Sequence, residues 1–167
     1  LEKWQTGTFN PDAKGPAPHE PALGPRFAEL TDDMLAFKAP PREISIVDED
    51  GRPILAGDEE RRYFEGPWVH KYNGYYYLSY STGTTHTLVY AMSKSPEGPF
   101  VFKGKILTPV IGWTTHHSIV EFRGKWYLFY HDASLSGGVD HLRCVKYTEL
   151  HYNDDGTIRT IDPYAGG

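Results

Sequence analysis

The feature that most constrains the fold is a β-hairpin signal that occurs twice, 50 residues apart. Residues 73–80 read NGYYYLSY and residues 123–130 read RGKWYLFY. Both stretches contain a glycine, two consecutive aromatic residues, a leucine and a closing tyrosine. A repeat of ~40–50 residues is typical of the four-stranded blades of a β-propeller. A β-sandwich also consists of short strands, but it would not produce this internal similarity, so the repeat favours propeller blades.

Further turn signals divide the rest of the chain into short strands. Asp50-Gly51, residues 95–99 and Asp155-Gly156 each separate two runs of apolar or aromatic residues, as expected for hairpins. No long helical periodicity follows residue 43. The sequence therefore predicts an all-β chain with blades at residues 43–107 and 108–162, and the segment before them adds strands to a further blade.

The composition excludes several classes of protein. The net charge is -5 and no basic cluster is present, which argues against a protein that binds nucleic-acid phosphates. No apolar run approaches the ~18 residues that a membrane-spanning helix needs. The single cysteine, Cys144, excludes an internal disulfide framework. The compartment stays open, since a cytoplasmic, a periplasmic and a secreted protein all fit this composition.

Residues 1–42 differ from the rest by their proline content. Residues 10–42 hold seven of the 13 prolines, and this density excludes helices and central strands. The interspersed apolar side chains predict an extended connection packed on the blades, which occupy residues 43–167, although a disordered linker is the alternative. Residues 27–37 are expected to form a helical turn or two. The apolar residues expected to be buried are Trp4, Phe9, Phe27, Leu30, Met34, Leu35 and Phe37.

Two polar residues occupy equivalent places in the repeat. Glu65 lies nine residues before Gly74, and His116 lies eight residues before Gly124. Each is therefore expected to lie just ahead of the first long strand of its blade. Because the innermost strand of a propeller blade lines the central channel, we expect the two side chains to converge on the propeller axis.

Two longer stretches that contain these residues resemble a known enzyme family. Residues 63–81, YFEGPWVHKYNGYYYLSYS, and residues 112–132, GWTTHHSIVEFRGKWYLFYHD, are similar to family 43 glycoside hydrolases, the arabinofuranosidase and xylosidase group. The likeness runs from about residue 1 to residue 162. It implies a five-bladed propeller, of which this chain supplies about three blades. It also implies inverting hydrolysis of arabinose- or xylose-containing hemicellulose or its oligosaccharides.

The resemblance makes Glu65 the general acid. Cleavage of a glycosidic bond requires a proton on the leaving oxygen, which a carboxyl group supplies. Tyr63, Phe64 and Trp68 are expected to desolvate this carboxyl group and favour its protonated form. The residues alone also fit a surface glutamate beside the Gly66-Pro67 turn.

The resemblance also implies a metal, usually calcium, on the propeller axis, with His116 as its protein contact. Calcium prefers oxygen ligands, so a single histidine would hold a mostly hydrated ion. The alternative is a hydrogen-bonded core histidine. His117 is expected to point the opposite way along the strand and to pack between blades.

Three more residues are candidates for contact with a sugar. Arg143 matches an arginine that the family places at the sugar pocket, and a guanidinium offers a rigid fork of donors; a surface arginine is the alternative. Trp68 and Trp113 are candidates for stacking on a sugar face, or else for the blade core. His86 and His131 are interpreted as structural.

The chain departs from the family pattern in one respect. The family uses an aspartate as the general base and a second aspartate that adjusts the acid, and neither motif is found here. The chain is therefore predicted to act with complementary N-terminal blades, to close a ring with a second copy, or to serve as a non-catalytic sugar-binding half propeller. Exposed blade faces would favour association in the first two cases.

Overall fold

The computed structural model describes residue 3, residues 8–82 and residues 86–165. These residues form two larger β-sheets and a short two-stranded ribbon, so the all-β prediction is confirmed. No helix in this part of the chain is long and apolar enough to cross a membrane. In chain order the strands are β1 (Arg26–Phe27), β2 (Arg42–Glu43), β3 (Ile46–Val47), β4 (Tyr63–Tyr72), β5 (Tyr75–Thr82), β6 (Leu88–Ser93), β7 (Phe100–Leu107), β8 (Ser118–Phe122), β9 (Lys125–Asp132) and β10 (Cys144–Leu150), with a 3-10 turn at Ser134–Ser136.

The first sheet has the strand order β3-β7-β6-β5-β4. Strands β4 to β7 form an antiparallel meander, and β3 adds in parallel to β7. The central strands β5 and β6 are buried on both faces, because the connection before β4 covers one face and the second sheet covers the other. The buried residues on the first of these faces include Leu78, Tyr80, Val89 and Ala91, which pack with Ile44, Ile46 and Ile54.

The second sheet is an antiparallel meander of β8, β9 and β10. Its inner face joins the first sheet in one hydrophobic cluster, to which Ile119, Leu128, Tyr130 and Leu150 belong. Aromatic rings tie the two sheets together, and Tyr72 stacks on Tyr152 with ring centroids 3.8 Å apart. Two blade-like sheets packed face to face match the arrangement that the repeat predicts.

The two repeated hairpins turn in the same way. Asn73 and Gly74 have φ of 46° and 78°, and Arg123 and Gly124 have φ of 54° and 78°. Two consecutive residues with positive φ define a type I′ turn, whose twist matches that of the flanking strands. The two hairpins predicted at Asn73-Gly74 and Arg123-Gly124 are therefore confirmed in position.

The segment before the sheets follows an extended path, but its apolar side chains depart from expectation. Only Phe27 is half-buried against a core cluster, whereas Phe9, Leu30, Met34, Leu35 and Phe37 are exposed; Trp4 lies outside the described residues. The predicted helical turn is also wrong. The Thr31 amide donates to the carbonyl of Ala36 and Leu30 bridges to Phe37, so these residues close a tight loop. The apolar side chains of this loop are exposed because no other segment of the described chain packs against them. The division at residue 42 stays a prediction.

Candidate active site

Glu65 lies on a distorted part of β4. The pairing of β4 with β5 shifts register on both sides of Glu65, where Gly66 has φ of 66° and Pro67 follows. Such bulges re-aim side chains at the ends of blades and next to functional sites. Glu65 is the third residue of β4, so it lies within this strand and not just ahead of it, whereas His116 does lie just ahead of β8.

His116 lies directly against this bulge. Its Nε2 is 3.6 Å from Oε1 of Glu65, and both side chains are partly exposed, at 54% and 37%. A Cβ atom on Gly66 would come within 3.3 Å of the imidazole, so the glycine leaves room for this close approach. The structure thus brings together Glu65 and His116, which occupy equivalent positions in the repeat.

The aromatic residues around Glu65 do not enclose its carboxylate as expected. Phe64 is exposed, and Trp68 turns toward the second sheet, where its indole N–H donates to the carbonyl of Ile119 at 3.0 Å. Tyr63 is the near neighbour. Burial, and then the charge of Glu65, raise the pKa of Tyr63 to about 12. Of the three residues, Tyr63 is the one whose ionisation the Glu65 carboxylate influences.

His131, which sequence reasoning treated as structural, supports the site. The backbone N–H of His116 donates to Nε2 of His131 at 3.0 Å, and the backbone N–H of His131 donates to Oγ1 of Thr115 at 3.1 Å. Burial, and then the positive charges of Arg143 and His116, lower the pKa of His131. A neutral imidazole is what this geometry needs, because Nε2 must be unprotonated to accept the hydrogen bond from the His116 amide. The signal missed in the sequence is the position of His131 at the end of β9, opposite the TTHHS segment.

Arg143 joins the same cluster from the end of the loop before β10. Its Nη1 lies 3.5 Å from Nε2 of His131, and its Nε donates to the carbonyl of Asp140 at 2.7 Å. The side chain is exposed, so most of its donors face away from the protein. The predicted sugar-binding arginine is therefore brought beside the Glu65 and His116 pair.

The segment that carries His116 is anchored to the first sheet. Ser81 donates its hydroxyl to the carbonyl of Thr115 at 2.8 Å, and Oγ of Ser79 lies 2.6 Å from Nε2 of His117. His117 is half-buried, and desolvation of its ring, followed by its histidine neighbours, lowers its pKa to about 3. The expectation that His117 packs between the sheets agrees with this position.

The two tryptophan candidates differ in their surroundings. Trp68 packs against the core cluster between the sheets. This packing explains why a tryptophan is present here without any contact to a sugar. Trp113 is 57% exposed, and its ring lies 4.5 Å from that of His86. Trp113 thus offers an open aromatic face close in sequence to His116, and the sugar contacts of both residues stay predictions.

A buried carboxylate that sequence reasoning missed fixes the loop before the site. Asp132 accepts hydrogen bonds from the side chains of Cys144, Ser134 and Tyr164 at 2.9, 2.9 and 3.0 Å. Burial opposes its ionisation, but these bonds outweigh burial and hold its pKa well below the usual value. The Tyr164 hydroxyl also accepts from the amide of Ile111 at 2.8 Å. The C-terminal residues therefore hold the loop that leads to Trp113 and His116.

The donor set does not by itself form a complete metal site. Among the described residues, no group of three or more His, Cys, Asp or Glu side chains is arranged to hold a metal ion. Calcium prefers six to eight oxygen ligands, and His116 presents one nitrogen with the Glu65 carboxylate 3.6 Å away. Of the residues named here, His116 and Glu65 are the side chains placed to contact such an ion.

Comparison with known proteins adds independent information. The family model described as glycosyl hydrolases family 43 matches residues 19–158. A xylosidase/arabinosidase of Bacteroides ovatus is 53% identical over 97% of this chain and 50% of its own length. Xylosidase/arabinosidase 43A of Humicola insolens is 56% identical over 98% of this chain and 52% of its own length. The chain spans about half the length of these relatives.

Solved structures show the same relation. A β-xylosidase/α-arabinofuranosidase from a compost microbial metagenome, in complex with xylotriose and in calcium-free form, superposes with a TM-score of 0.95 at 62% identity, over 98% of this chain and 51% of that one. A family 43 enzyme of Xanthomonas citri complexed with xylotriose gives a TM-score of 0.96 at 52% identity, over 99% and 50%.

Proposed function

The chain belongs to glycosyl hydrolase family 43, and on this premise we propose that it supplies the general acid, Glu65, of an inverting glycoside hydrolase. The observation that carries the proposal is the position of Glu65 on the β4 bulge, 3.6 Å from His116. A bulge there turns one carboxyl group toward a partly exposed cluster of polar side chains. Such a group can reach the oxygen of a bound glycoside.

The cluster suggests a division of roles among the residues. Glu65 delivers a proton to the leaving oxygen as the glycosidic bond breaks. Arg143 donates hydrogen bonds to sugar hydroxyls with the part of its guanidinium that faces away from Asp140 and His131. Trp113 offers a flat apolar face of the kind on which sugar rings stack. His131 acts indirectly, since it fixes the backbone of His116.

The inverting reaction also requires a second carboxylate. In inverting enzymes the acid and the base stand ~6.5–9.5 Å apart, so that a water molecule fits on the far side of the sugar. We propose that a segment outside this chain supplies the general base, an aspartate. Complementary N-terminal blades or a second copy of the chain are the candidate partners.

The proposed substrates are arabinose- or xylose-containing oligosaccharides and polysaccharides of hemicellulose. The support is the naming of the relatives as xylosidase/arabinosidase and the xylotriose in two similar solved structures.

We further propose that His116 contacts a hydrated calcium ion on the propeller axis. The support is the description of one similar structure as a calcium-free form and the exposure of His116 beside Glu65. The ion would hold the site's shape electrostatically and needs few protein ligands. Calorimetric titration of the assembled enzyme with calcium, compared with a His116→Ala variant, tests this role, and equal binding by both proteins would exclude it.

The test of the catalytic role is Glu65→Gln in the assembled enzyme. Glutamine keeps the shape of the side chain but cannot donate a proton to the leaving oxygen, so hydrolysis of xylo-oligosaccharides should fall by at least about 100-fold. Binding of xylotriose should persist, and aryl glycosides with good leaving groups should be affected less. Activity within a few-fold of the parent on an oligosaccharide would remove Glu65 as the acid.

A non-catalytic alternative is favoured by one observation. The outer face of the second sheet, formed by Phe122, Phe129, Val145 and Tyr147, is exposed, and a half propeller that pairs with itself would cover this face. Such an assembly would bind sugars without cleaving them. Xylotriose binding without turnover in every assembly of the chain would support this alternative over the enzyme.

A further inference from the structure

The segment after β10, residues 151–165, which we call the tail, runs from the first sheet to the second. The amide of Ile161 donates to the carbonyl of Ile106 near the end of β7, at 2.8 Å. Further along the tail, the Tyr164 hydroxyl donates to Oδ2 of Asp132 at the end of β9, at 3.0 Å. The tail therefore connects the last strand of the first meander with the central strand of the second.

The hydrogen bonds of the Tyr164 hydroxyl have fixed directions. Asp132 is buried, and burial opposes its charge, but the hydrogen bonds to it outweigh burial and hold its pKa low. A carboxylate can only accept, so the Tyr164 hydroxyl donates to Asp132 and accepts from the amide of Ile111 at 2.8 Å. Burial raises the pKa of Tyr164, with the Ile111 amide opposing and Asp132 adding to the effect. The phenol therefore keeps the proton that this arrangement uses.

The bond to the Ile111 amide reaches the loop that carries Trp113, whose side chain is 57% exposed. Ile111 lies two residues before Trp113 and is itself exposed, so packing alone does not fix this part of the loop. The carbonyl of Ile111 accepts from the amide of Ala133 at 2.8 Å, and its amide donates to Tyr164. Tyr164 therefore supplies one of the hydrogen bonds that set where the chain enters the loop.

The other end of this loop is held without the tail. The carbonyl of Thr115 accepts from the Ser81 hydroxyl at 2.8 Å, and the hydroxyl of Thr115 accepts from the amide of His131 at 3.1 Å. Glu65 is placed by the irregular pairing of β4 with β5. A change in the tail should therefore displace Trp113 and leave the proposed acid where it is.

We propose that Tyr164 is a positioning residue for Trp113, and that its hydroxyl holds the indole face in the orientation on which a xylose- or arabinose-containing oligosaccharide stacks. The proposal rests on the sugar contact that the proposed function gives to Trp113. Because the hydroxyl acts on the stacking face and not on the acid, it should affect sugar binding more than bond cleavage. Tyr164 then influences the affinity for the sugar without contacting it.

The test is Tyr164→Phe in the assembled enzyme, with xylotriose as the substrate. Phenylalanine keeps the ring, which is partly exposed, so the variant loses the hydroxyl alone. KM should rise by about threefold to tenfold, the range expected for one lost hydrogen bond, whereas kcat should stay within about twofold. Cys144→Ala is the matched control, since it removes another donor to Asp132 but no bond to the Trp113 loop, and it should change neither constant. An unchanged KM in Tyr164→Phe, or equal effects of the two variants, would overturn the proposal.

A double-mutant cycle shows whether Tyr164 acts through Trp113. In a Trp113→Ala background, Tyr164→Phe should raise KM no further, because the aromatic face that it positions is gone. A further rise of the same size as in the parent would mean that Tyr164 acts on another part of the site, and it would overturn the proposal.

A spectroscopic measurement separates this proposal from the proposed function. In enzyme labelled with fluorotryptophan, the fluorine NMR resonance of Trp113 can be assigned with Trp113→Phe. Tyr164→Phe should shift this resonance and leave that of Trp68 in place, whereas Cys144→Ala should shift neither. An unchanged Trp113 resonance would overturn the proposal even if KM rises. If the parent cleaves no xylotriose, the proposed catalytic function fails, and a shifted Trp113 resonance would still support the positioning by Tyr164.

Discussion

The two sheets of this chain are built alike but are covered differently. In the first sheet, β5 and β6 are buried on both faces, with Leu78 and Tyr80 packed on one side and Tyr77 and Tyr90 on the other. In the second sheet, the inner face is buried around Leu128 and Leu150. Its outer face also carries large apolar side chains, but these are exposed.

The difference shows which sheet faces are covered by the described residues of this chain and which are left exposed. Val145 is 80% exposed and Tyr147 is 69% exposed, and Tyr147 stacks on Phe129 with ring centroids 5.8 Å apart. Contiguous apolar surface of this kind marks an interaction site. A blade that packs on one neighbour in this chain is thus poised to pack on a second one, as blades in a ring do.

The buried face should respond much more strongly to truncation than the open face. Leu128→Ala removes a fully buried side chain between the sheets, so it should lower the free energy of unfolding by about 2–5 kcal/mol. Val145→Ala, in the adjacent strand but on the open face, should change it by less than about 0.5 kcal/mol. Urea unfolding of the two variants measures both values. A comparable cost for Val145→Ala in the isolated chain would show that this face is already covered.

The interior between the sheets should also make stability depend on pH. Burial lowers the pKa of His70 to about 4, and its Nε2 lies 2.7 Å from the Tyr152 hydroxyl. Between pH 6.5 and 4 the unfolded chain binds a proton that folded His70 does not. Stability is therefore full above pH 6.5 and is lost as the pH falls toward 4, by up to ~3 kcal/mol.

His70→Phe tests this pH dependence. Phenylalanine keeps a ring against Tyr77, which stacks on His70 at 4.8 Å, but it has no proton to bind. The variant should lose less stability on acidification than the parent, although His117 keeps part of the effect. The same replacement at the exposed His19 should leave the pH slope as it is. An unchanged slope in His70→Phe would contradict a buried neutral His70.

A substitution on the open face should weaken the association of the chain with a partner, and we expect this effect to be smaller than the two above. A charge introduced at its centre by Val145→Lys would have to be desolvated when a partner covers the sheet. We expect association with complementary blades, or of two copies, to weaken by about tenfold or more, while unfolding of the isolated chain stays unchanged. Light scattering at micromolar concentration follows this equilibrium. A monodisperse single chain of 18.9 kDa with cooperative unfolding would instead show that the half ring is stable alone.

Features set by local sequence were predictable. The turns at Asn73-Gly74 and Arg123-Gly124 lie where the sequence predicts them, each with a glycine at positive φ, and the aromatic runs after them form β5 and β9 as expected. The repeat also placed Glu65 and His116 at equivalent positions, and the structure brings them within 3.6 Å. This prediction succeeded because the two blades are repeats of one structural unit, so residues at equivalent positions of the repeat come close together in the fold.

Features that depend on distant partners could be known only from the tertiary structure. Four apolar side chains that were expected to be buried are exposed, namely Leu30, Met34, Leu35 and Phe37. An apolar side chain favours burial, but the sequence alone does not show whether another segment packs against it. The roles of His131 and Asp132 were missed, since their hydrogen bonds to His116 and Tyr164 join residues 15 and 32 positions apart. The sequence by itself determined the strands, the turns and the equivalent places of Glu65 and His116 in the repeat. Only the folded chain decided which polar atoms meet across the sheets and which blade face remains open, because both depend on the packing of distant segments.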